Sequence, residues 1–390
     1  MNILLIDFVS FIQPDIIYSL KKMGIHFKNI YFHFPMGDEG KFENEDFERI
    51  MLTELKASKY DLVFSTNLLP VVGKVAYDHN LPYIAWSYDS PINLISRQYF
   101  DLPNTKVYLF DRMEAEKFRK EGYDNFFHLP LAVNCERLSV SKPRKDLKCE
   151  ISFIGKLYNS SYPYLSASMS AHDKGYCDAL IKAQLMTYGA FLIDGSLNSK
   201  LLDSINNSFN NSGSSLKDIN ISREQLSYSL ASQVTHVERI SLLNILSKKH
   251  DVHLYTGENL NEISELSETV KKHGPLSYIE DMPSLFKSSR INLCPTLKNI
   301  QSGIPLRALD ILGSTSFLLS NWQSELAECF VYGKEIIMYE SIEDAAAKAK
   351  YYLSHDAERE SVIHAGFQKV SKDFRYEDRI KEILKGFDIS

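Results

Sequence analysis

This 390-residue sequence contains few cysteines and few tryptophans, five and two respectively. Its formal net charge is also small, at −6. The cysteines are scattered, odd in number and without a Cys-x-x-Cys pair, which favours a reducing compartment and argues against a disulfide framework or a zinc site. The slightly negative charge supplies no field that would attract nucleic acid. No apolar run reaches membrane-spanning length, and no basic signal-peptide region opens the chain. We therefore expect a cytoplasmic protein with no nucleic-acid partner and no transmembrane segment.

Two short motifs are also missing. The first apolar strand, at residues 2–6, is followed by the turn Asp-Phe-Val-Ser rather than by a Gly-x-Gly-x-x-Gly turn. The absence of this fingerprint argues against a nicotinamide or flavin dehydrogenase. No Asp-x-Asp motif stands at the end of a strand in a metal-ligating context, so we expect neither a metal nor a cofactor.

Apolar segments of strand length alternate with amphipathic helical segments along both halves of the chain. In the first half, for example, the strands predicted at residues 61–65 and 82–86 flank a helix at 71–78. Alternation at this spacing predicts parallel sheets with helices on both faces, and therefore the α/β class. Residues 197–218 interrupt the pattern, because they are rich in serine and asparagine and predict a surface connection or a mobile flap.

The chain is too long for one ordinary hydrophobic core, so we expect two domains. Residues 139–148 are polar, charged and contain Pro143, which is typical of an inter-domain linker. We place an N-terminal domain at residues 1–140, a C-terminal domain at 149–371 and a closing helix within 372–390.

The most specific pattern in the chain lies at residues 289–322. It predicts a buried strand at 291–294, a polar loop at 296–303 and then a helix. A helix that starts after such a loop is an anion site, because its free N–H groups and its dipole both point at the loop. Arg307 and Asp310 lie three residues apart and share a face of this helix. They suit the phosphates and ribose hydroxyls of a nucleotide diphosphate, and a surface ion pair is the alternative.

This stretch is similar to the C-terminal segment of the CgeB-type (spore-maturation) glycosyltransferases, which are bacterial members of the GT-B superfamily. Arg-Ala-Leu-Asp at 307–310 occupies the place of the family's Arg-x-Phe-Glu, with leucine for phenylalanine and aspartate for glutamate. In the broader Glu-x7-Glu motif, Asp310 takes the place of the second glutamate and Ser302 that of the first.

The resemblance implies a GT-B fold, in which two Rossmann-like, doubly wound domains face each other across a cleft. It implies an enzyme that moves a sugar from a nucleotide-diphosphate sugar to a protein or glycan acceptor. The leaving diphosphate would be stabilised by fixed donors rather than by a metal, with the backbone N–H groups of Ser302 and Gly303 assisting. In GT-B folds the closing helix often returns to the first domain.

Four further residues are expected to face the donor. Gly155 and Lys156 follow a predicted strand and resemble the Phe-x-Gly-Arg/Lys-Leu start of many GT-B C-terminal domains, whose basic residue contacts the diphosphate. A solvated turn lysine is the alternative. Gly257 follows the strand at 252–255, where the chain can approach a nucleotide. Tyr278 is expected to lie on or beside a base, or else in the core.

By the same resemblance, Arg239 on the helix at 232–247 faces the donor, and a satisfied surface arginine is the alternative. Residues 86–91 resemble the Trp-x-x-Asp-Ser-Pro signature of the domain of unknown function that often precedes CgeB-type domains. Asp89 in this signature is our candidate general base or anchor for an acceptor hydroxyl, and the alternative is a turn cap before Pro91. Asp111 is expected to cap the next helix.

Two other functions stay open at this point. Since Ser302 replaces the first glutamate and Asp310 is one methylene shorter than glutamate, the chain could bind a nucleotide sugar without turnover. A sugar-nucleotide epimerase shares the two-domain fold and needs no acceptor.

Overall fold

The computed structural model describes residues 1–34, 39–92, 94, 96–211, 216, 219–259 and 263–385. This part of the chain forms two compact units. The first unit contains Met1–Cys135, Ser302–Leu309 and the chain from Val370 onward, and the second contains Glu136–Gln301 and Asp310–Lys369. Within the described residues, no helix combines the length and apolar character needed to cross a membrane.

The first unit is an α/β unit with one parallel sheet. Its strands are β1 (Asn2–Asp7), β2 (His26–Tyr31), β3 (Leu62–Thr66), β4 (Tyr83–Ser87), β5 (Thr105–Leu109) and β6 (Phe126–His128). Its helices up to this point are α1 (Gln13–Lys22), α2 (Glu39–Phe42), α3 (Glu45–Ala57), α4 (Pro70–Asp78) and α5 (Arg112–Lys120). The described strands lie in the order β2-β1-β3-β4-β5-β6.

The central strands of this sheet are buried on both faces, as apolar runs of this kind predict. Every residue of β3 and of β4 is buried. The strand order changes direction between β1 and β3, where Ile3 pairs with Phe27 on one side and with Leu62 on the other. Ligands of doubly wound sheets bind beyond the carboxyl ends of the strands at such a switch point.

The second unit repeats this plan with a larger helical part. Its strands are β7 (Cys149–Ile154), β8 (Val252–Tyr255), β9 (Lys271–His273), β10 (Ser289–Cys294), β11 (Leu318–Asn321) and β12 (Ile337–Tyr339). The helices from here to the end are α6 (Cys135–Ser139), α7 (Tyr162–Ser166), α8 (Ala171–Leu185), α9 (Leu192–Ser196), α10 (Ser199–Asn211), α11 (Arg223–Ser247), α12 (Met282–Ser288), α13 (Leu306–Gly313), α14 (Ser324–Cys329), α15 (Ile342–Ser354), α16 (Asp356–Asp373) and α17 (Tyr376–Lys385).

The described strands of the second sheet lie in the order β12-β11-β10-β7-β8-β9, all parallel. The order changes direction between β7 and β10, so the loops after these two strands meet at the switch point. Ile151, Ile291 and Leu293 of these strands are buried in one core with Leu242 of α11.

Helix α17 groups with the first unit. The N–H of Val133 donates to the carbonyl of Phe374 at 2.8 Å, and the ring of Tyr376 packs edge-on against Trp86 with centres 5.8 Å apart. Arg379 donates to the carbonyl of Pro130 at 3.1 Å. The last part of the expected closing segment, residues 386–390, lies outside the described residues.

The expected surface connection at residues 197–218 is wrong for most of its length. Residues 199–211 form α10, and Leu201, Ile205 and Phe209 on it are buried in a helical core with α8 and α11. These apolar residues recur every four positions, and the serine and asparagine content of the other faces obscured that period. Residues 212–215, 217 and 218 lie outside the described residues.

The strand β9 and the helix α14 were not expected from the sequence. The N-cap role expected of Asp111 is confirmed, because its side chain accepts the N–H of Met113 at 3.0 Å.

Because Phe209 is fully buried, Phe209→Ala should destabilise the second unit by about 3–5 kcal/mol. Asn207→Ala, on the exposed side of the same helix, should change stability by less than about 0.5 kcal/mol. Urea unfolding followed by circular dichroism measures both. If both variants changed the free energy of unfolding by equally small amounts, the helix would be a surface connection, as the sequence predicted.

Candidate active site

One arginine ties together the two loops at the switch point of the second sheet. Arg239 of α11 is 7% exposed and donates from its two Nη atoms to the carbonyls of Lys156 and Pro295, each at 2.5 Å. Its guanidinium also lies 5.1 Å from the ring centres of Phe153 and of Tyr158. A planar, permanently charged group suits such a bridge because its donors point in fixed directions. Arg239 is therefore buried beneath the loops and not a surface arginine.

The loop after β7 directs two N–H groups at a carboxylate. Gly155 leaves the strand with a φ of +154°, and the exposed Lys156 follows it. The N–H of Leu157 donates to Glu258 Oε2, and the N–H of Tyr158 donates to Glu258 Oε1 at 3.1 Å. The loop that the sequence predicts to face phosphate thus holds an anion at its N–H groups, and this anion is a side chain of the protein.

Gly257 lies in the loop after β8, directly before Glu258. It is exposed, and a Cβ at this position would meet only Pro275, at an ordinary 3.8 Å. Packing therefore does not require glycine here, and the approach of a nucleotide to Gly257 stays a prediction.

Two of the residues expected to bind the donor contact each other within the second unit. The hydroxyl of Tyr278 lies 3.0 Å from Asp310 Oδ2 and 3.2 Å from Oδ1. Asp310 is 3% exposed on α13, and the Arg137 guanidinium lies 5.3 Å from the Tyr278 ring centre. The Asp310 carboxylate is thus oriented by a phenol, while Tyr278 is half-buried and does not belong to the core.

Several backbone donors at the start of α13 are not used by the described part of the protein. Among the described residues, the N–H groups of Gly303, Ile304, Leu306 and Arg307 have no protein acceptor. The buried Nε of Arg307 also lacks an acceptor in the described part of the chain. Buried polar groups are rarely left in this condition, so they mark a place where water or a ligand binds. These donors are compatible with the anion site expected at this helix, which stays a prediction.

Ser302 and Gly303 have a structural role in the first unit. Ser302 donates from Oγ to Asp111 Oδ1 at 2.7 Å and from its N–H to Oδ2 at 3.3 Å, and Oγ accepts the N–H of Met113 at 3.2 Å. A Cβ on Gly303 would come within 2.9 Å of backbone atoms of Phe110 and Asp111. The Ser302 N–H, expected to assist a phosphate, thus has a protein acceptor, and Gly303 is glycine because the backbone approaches α5 so closely.

At the switch point of the first sheet, Asn67 organises the turn after β4. Its backbone has a φ of +68°, and its Oδ1 accepts the N–H groups of Tyr88 (2.9 Å) and Asp89 (3.2 Å) as well as the hydroxyl of Ser87 (2.9 Å). Its Nδ2 donates to Asp89 Oδ2 at 2.6 Å. The candidate base Asp89 is therefore an exposed carboxylate whose direction is set by an amide.

An exposed apolar surface lies at the same switch point, in the loop after β1. Val9 and Phe11 are 61% and 57% exposed, and the Phe11 ring is 6.5 Å from that of Tyr88. Val9 has a φ of +73°, which is an outlier for a β-branched residue and is found mostly where function requires it. Burial, assisted by the negative charge of Asp89, raises the pKa of Tyr88 to about 12, so its hydroxyl stays protonated at neutral pH.

A buried carboxyl group accepts hydrogen bonds from the residues that follow Asp89. Glu114 of α5 is 8% exposed and accepts the hydroxyl of Ser90 at 2.6 Å and the N–H of Ile92 at 2.5 Å. Burial raises the pKa of Glu114 to about 7, although its two hydrogen bonds act in the opposite direction, and Asp111 adds to the increase.

A buried ion pair lies beneath the loop after β10. Lys298 Nζ is 3.0 Å from Glu238 Oε2 and 4.3 Å from the ring centre of Tyr188, whose hydroxyl donates to Glu238 Oε1 at 2.9 Å. Next to this pair is a polar cavity of about 20 Å³, room for roughly one water, and it is lined in part by Lys298 and Thr296. The Oγ1 of Thr296 has no acceptor or donor among the described residues. The loop expected to be merely polar is therefore largely buried.

Residues 239–385 match a family described as glycosyl transferase-like. This span contains seven of the ten residues selected from the sequence, namely Arg239, Gly257, Tyr278, Ser302, Gly303, Arg307 and Asp310. This span is therefore similar to a glycosyl transferase-like domain, and the expected enzyme class, a glycosyltransferase, is confirmed. No curated protein matches the sequence.

The solved structures that resemble the chain span nearly all of it. Sucrose-phosphate synthase from Thermosynechococcus elongatus has a TM-score of 0.58 at 10% identity, covering 99% of this chain and 98% of that one. A glycosyltransferase from Rickettsia africae has a TM-score of 0.56 at 11% identity, covering 98% and 97%. Alr3699/HepE of Anabaena, in complex with UDP and glucose, has a TM-score of 0.54 at 11% identity, covering 99% and 100%. These likenesses confirm the expected GT-B fold.

Several residues at the two switch points were missed from the sequence: Asn67, Glu114, Glu238, Glu258 and Lys298. Each acts through a partner far along the chain, such as Glu258 with Leu157 and Tyr158. The one available signal was position, because Asn67 and Glu258 lie within three residues of the ends of predicted strands. Within the described residues, no group of three or more histidines, cysteines or acidic residues gathers as a metal site would.

Arg239→Lys should destabilise the second unit by about 2–4 kcal/mol, because one ammonium cannot hold both carbonyls in the geometry of the guanidinium. Arg223→Lys is the matched control, since Arg223 begins the same helix but is exposed, and its replacement should cost less than about 0.5 kcal/mol. Denaturant unfolding measures both, and equal costs would contradict the bridging role.

The raised pKa of Glu114 predicts a pH-dependent stability. Between pH 4.5 and about 7 the folded chain holds a proton at Glu114 that the unfolded chain has lost, so this contribution falls as the pH rises through that window. Relative to Glu114→Gln, the wild type should lose up to about 3 kcal/mol of unfolding free energy between pH 4.5 and pH 8. Unfolding curves at both pH values test this, and parallel pH profiles for the two proteins would refute it.

Proposed function

We propose that this protein is a cytoplasmic glycosyltransferase of the CgeB type, which transfers a sugar from a nucleotide-diphosphate sugar to a protein or glycan acceptor. The family match and the fold support the reaction class. The observation that carries the proposal is the start of α13, where several backbone donors and the Nε of Arg307 have no acceptor within the part of the chain that the structure describes. Such a constellation favours a polyanion at the helix end.

On the donor side, Arg307 and Lys156 are proposed to bind the diphosphate, and Asp310 the ribose hydroxyls. Negative charge develops on the leaving diphosphate, so fixed N–H groups and an arginine can stabilise it without a metal ion. The UDP and glucose bound to Alr3699/HepE support a nucleotide sugar as the donor class. The roles of Gly155 and Tyr278 are proposed as indirect: the glycine allows the turn that presents Lys156, and the phenol orients Asp310.

On the acceptor side, Asp89 is proposed to accept the proton of the attacking hydroxyl or to anchor it. Its support is the orientation by Asn67 and the exposure of the carboxylate at a switch point. The exposed side chains of Val9 and Phe11 at the same place favour an acceptor with an apolar face, as a pyranose ring has. A glycan or glycosylated acceptor therefore fits this surface best.

Arg307→Ala should reduce turnover by about 100-fold, because it removes a charge-assisted contact to the leaving group. Its melting temperature should change little, since the side chain is partly exposed and has no protein partner at Nε within the described chain. Turnover is measured with a purified donor and acceptor in the presence of a chelator, because the proposal needs no metal.

Arg119→Ala is the matched control, because Arg119 is an exposed helical arginine and should leave turnover unchanged. A thermal-shift panel of nucleotide-diphosphate sugars, UDP-glucose among them, identifies the donor, since a ligand of the folded state raises its melting temperature by mass action. Donor binding without transfer or hydrolysis would favour a non-catalytic binding protein. An Arg307→Ala variant with wild-type turnover would contradict the assigned role.

A further inference from the structure

In the loop after β7, the N–H groups of Leu157 and Tyr158 point at Glu258. Their direction is set by contacts on the other side of the loop and not by Glu258 itself. The carbonyl of Lys156 is held by Arg239 at 2.5 Å, and the carbonyl of Leu157 lies 3.1 Å from Nδ1 of the buried His236, which donates to it in the tautomer protonated there. In a trans peptide, the carbonyl and the following N–H point in opposite directions. With both carbonyls anchored inward, the N–H groups of Leu157 and Tyr158 must converge on the outer side.

Two converging N–H groups form a concave anion site of the kind known as a nest, and the left-handed backbone of Tyr158, with a φ of +60°, is typical of it. The carboxylate of Glu258 fills this site with one oxygen on each N–H. A phosphate offers the same arrangement of oxygens and binds N–H pairs at least as well as a carboxylate does. The site lies beyond the carboxyl end of β7 at the switch point with β10, where doubly wound sheets bind nucleotide ligands.

We propose that the N–H groups of Leu157 and Tyr158 bind one phosphate of the donor diphosphate, and that Glu258 occupies their site until the donor displaces it. This inference rests on the proposed function for the identity of the anion. Glu258 is attached to a separate loop, the one after β8, where its N–H donates to Thr256 Oγ1 at 3.2 Å and its Oε2 accepts the Thr256 hydroxyl at a long 3.4 Å. The side chain can therefore leave without disturbing the carbonyl anchors below.

If the donor displaces Glu258, the effect of this side chain on phosphate affinity has a predictable direction. Glu258 must leave the N–H groups and then stays close to the bound diphosphate, so its negative charge weakens phosphate binding on both counts. Removing that charge should tighten binding. A residue that merely held the loop in place would have the opposite effect, because its loss would loosen the site.

The test measures the dissociation constant of inorganic pyrophosphate by calorimetry on the full chain. Glu258→Gln and Glu258→Ala should each bind pyrophosphate roughly tenfold more tightly than the wild type. Glu268→Gln changes the net charge equally at an exposed position of the same unit and should bind as the wild type does. In Glu258→Ala, hydrogen exchange at the amides of residues 157 and 158 should be fast without pyrophosphate and slow with it.

Weaker or unchanged pyrophosphate binding in both Glu258 variants would overturn the proposal, as would unprotected amides in the loaded Glu258→Ala protein. Its failure is separable from failure of the proposed function. A wild-type protein that transfers sugar while its Glu258 variants bind pyrophosphate no better contradicts only the phosphate site. Tight pyrophosphate binding with protected amides in a protein that transfers no sugar from any donor supports the site and contradicts the transferase assignment.

Discussion

The guanidinium of Arg239 is the constraint on which the site of the second unit depends. A buried cation is tolerated only where its donors find acceptors, and here the acceptors are the carbonyls that follow β7 and β10. These two strands are neighbours in the sheet but are far apart in sequence, because Ser152 and Asn292, which bond to each other, are separated by 140 positions. Arg239 therefore fixes a switch point that strand pairing alone would leave with two unsupported loops, and it turns the N–H groups of the first loop outward.

Three residues with positive φ lie at the two switch points. Val9 and Asn67 have positive φ at the carboxyl edge of the first sheet, and Tyr158 has positive φ at that of the second. Each such residue costs on the order of 1–3 kcal/mol unless the surroundings impose the conformation. At Asn67 four side-chain hydrogen bonds do so, and at Tyr158 the bond to Glu258 does so. At these positions the strain thus lies in loops, while the strands behind them are regular and buried.

The sequence predicted the α/β class, nearly all strands and the polar loop before α13, because buried parallel strands are continuous apolar runs that need no partner to be recognised. It also predicted the cap at Asp111, since a cap is a contact between near neighbours. It failed at α10, where polar residues outnumber the buried Leu201, Ile205 and Phe209. It could not predict that Glu258 occupies the loop after β7, because that contact joins residues 100 positions apart and depends on where the sheet brings two loops.

The pairing of Tyr278 with Asp310 bears on the replacement of the expected glutamate by aspartate. A carboxylate has about four acceptor positions, and the phenol hydroxyl of Tyr278 is shared between both oxygens of Asp310. The shorter side chain also has one rotatable bond fewer, and Tyr278 restricts the remaining rotation, so less entropy is lost when a ligand binds. A ribose bound in this way must lie closer to α13 than a glutamate would require. The phenol that fixes the carboxylate, and not only the length of the side chain, would then determine where the nucleotide rests.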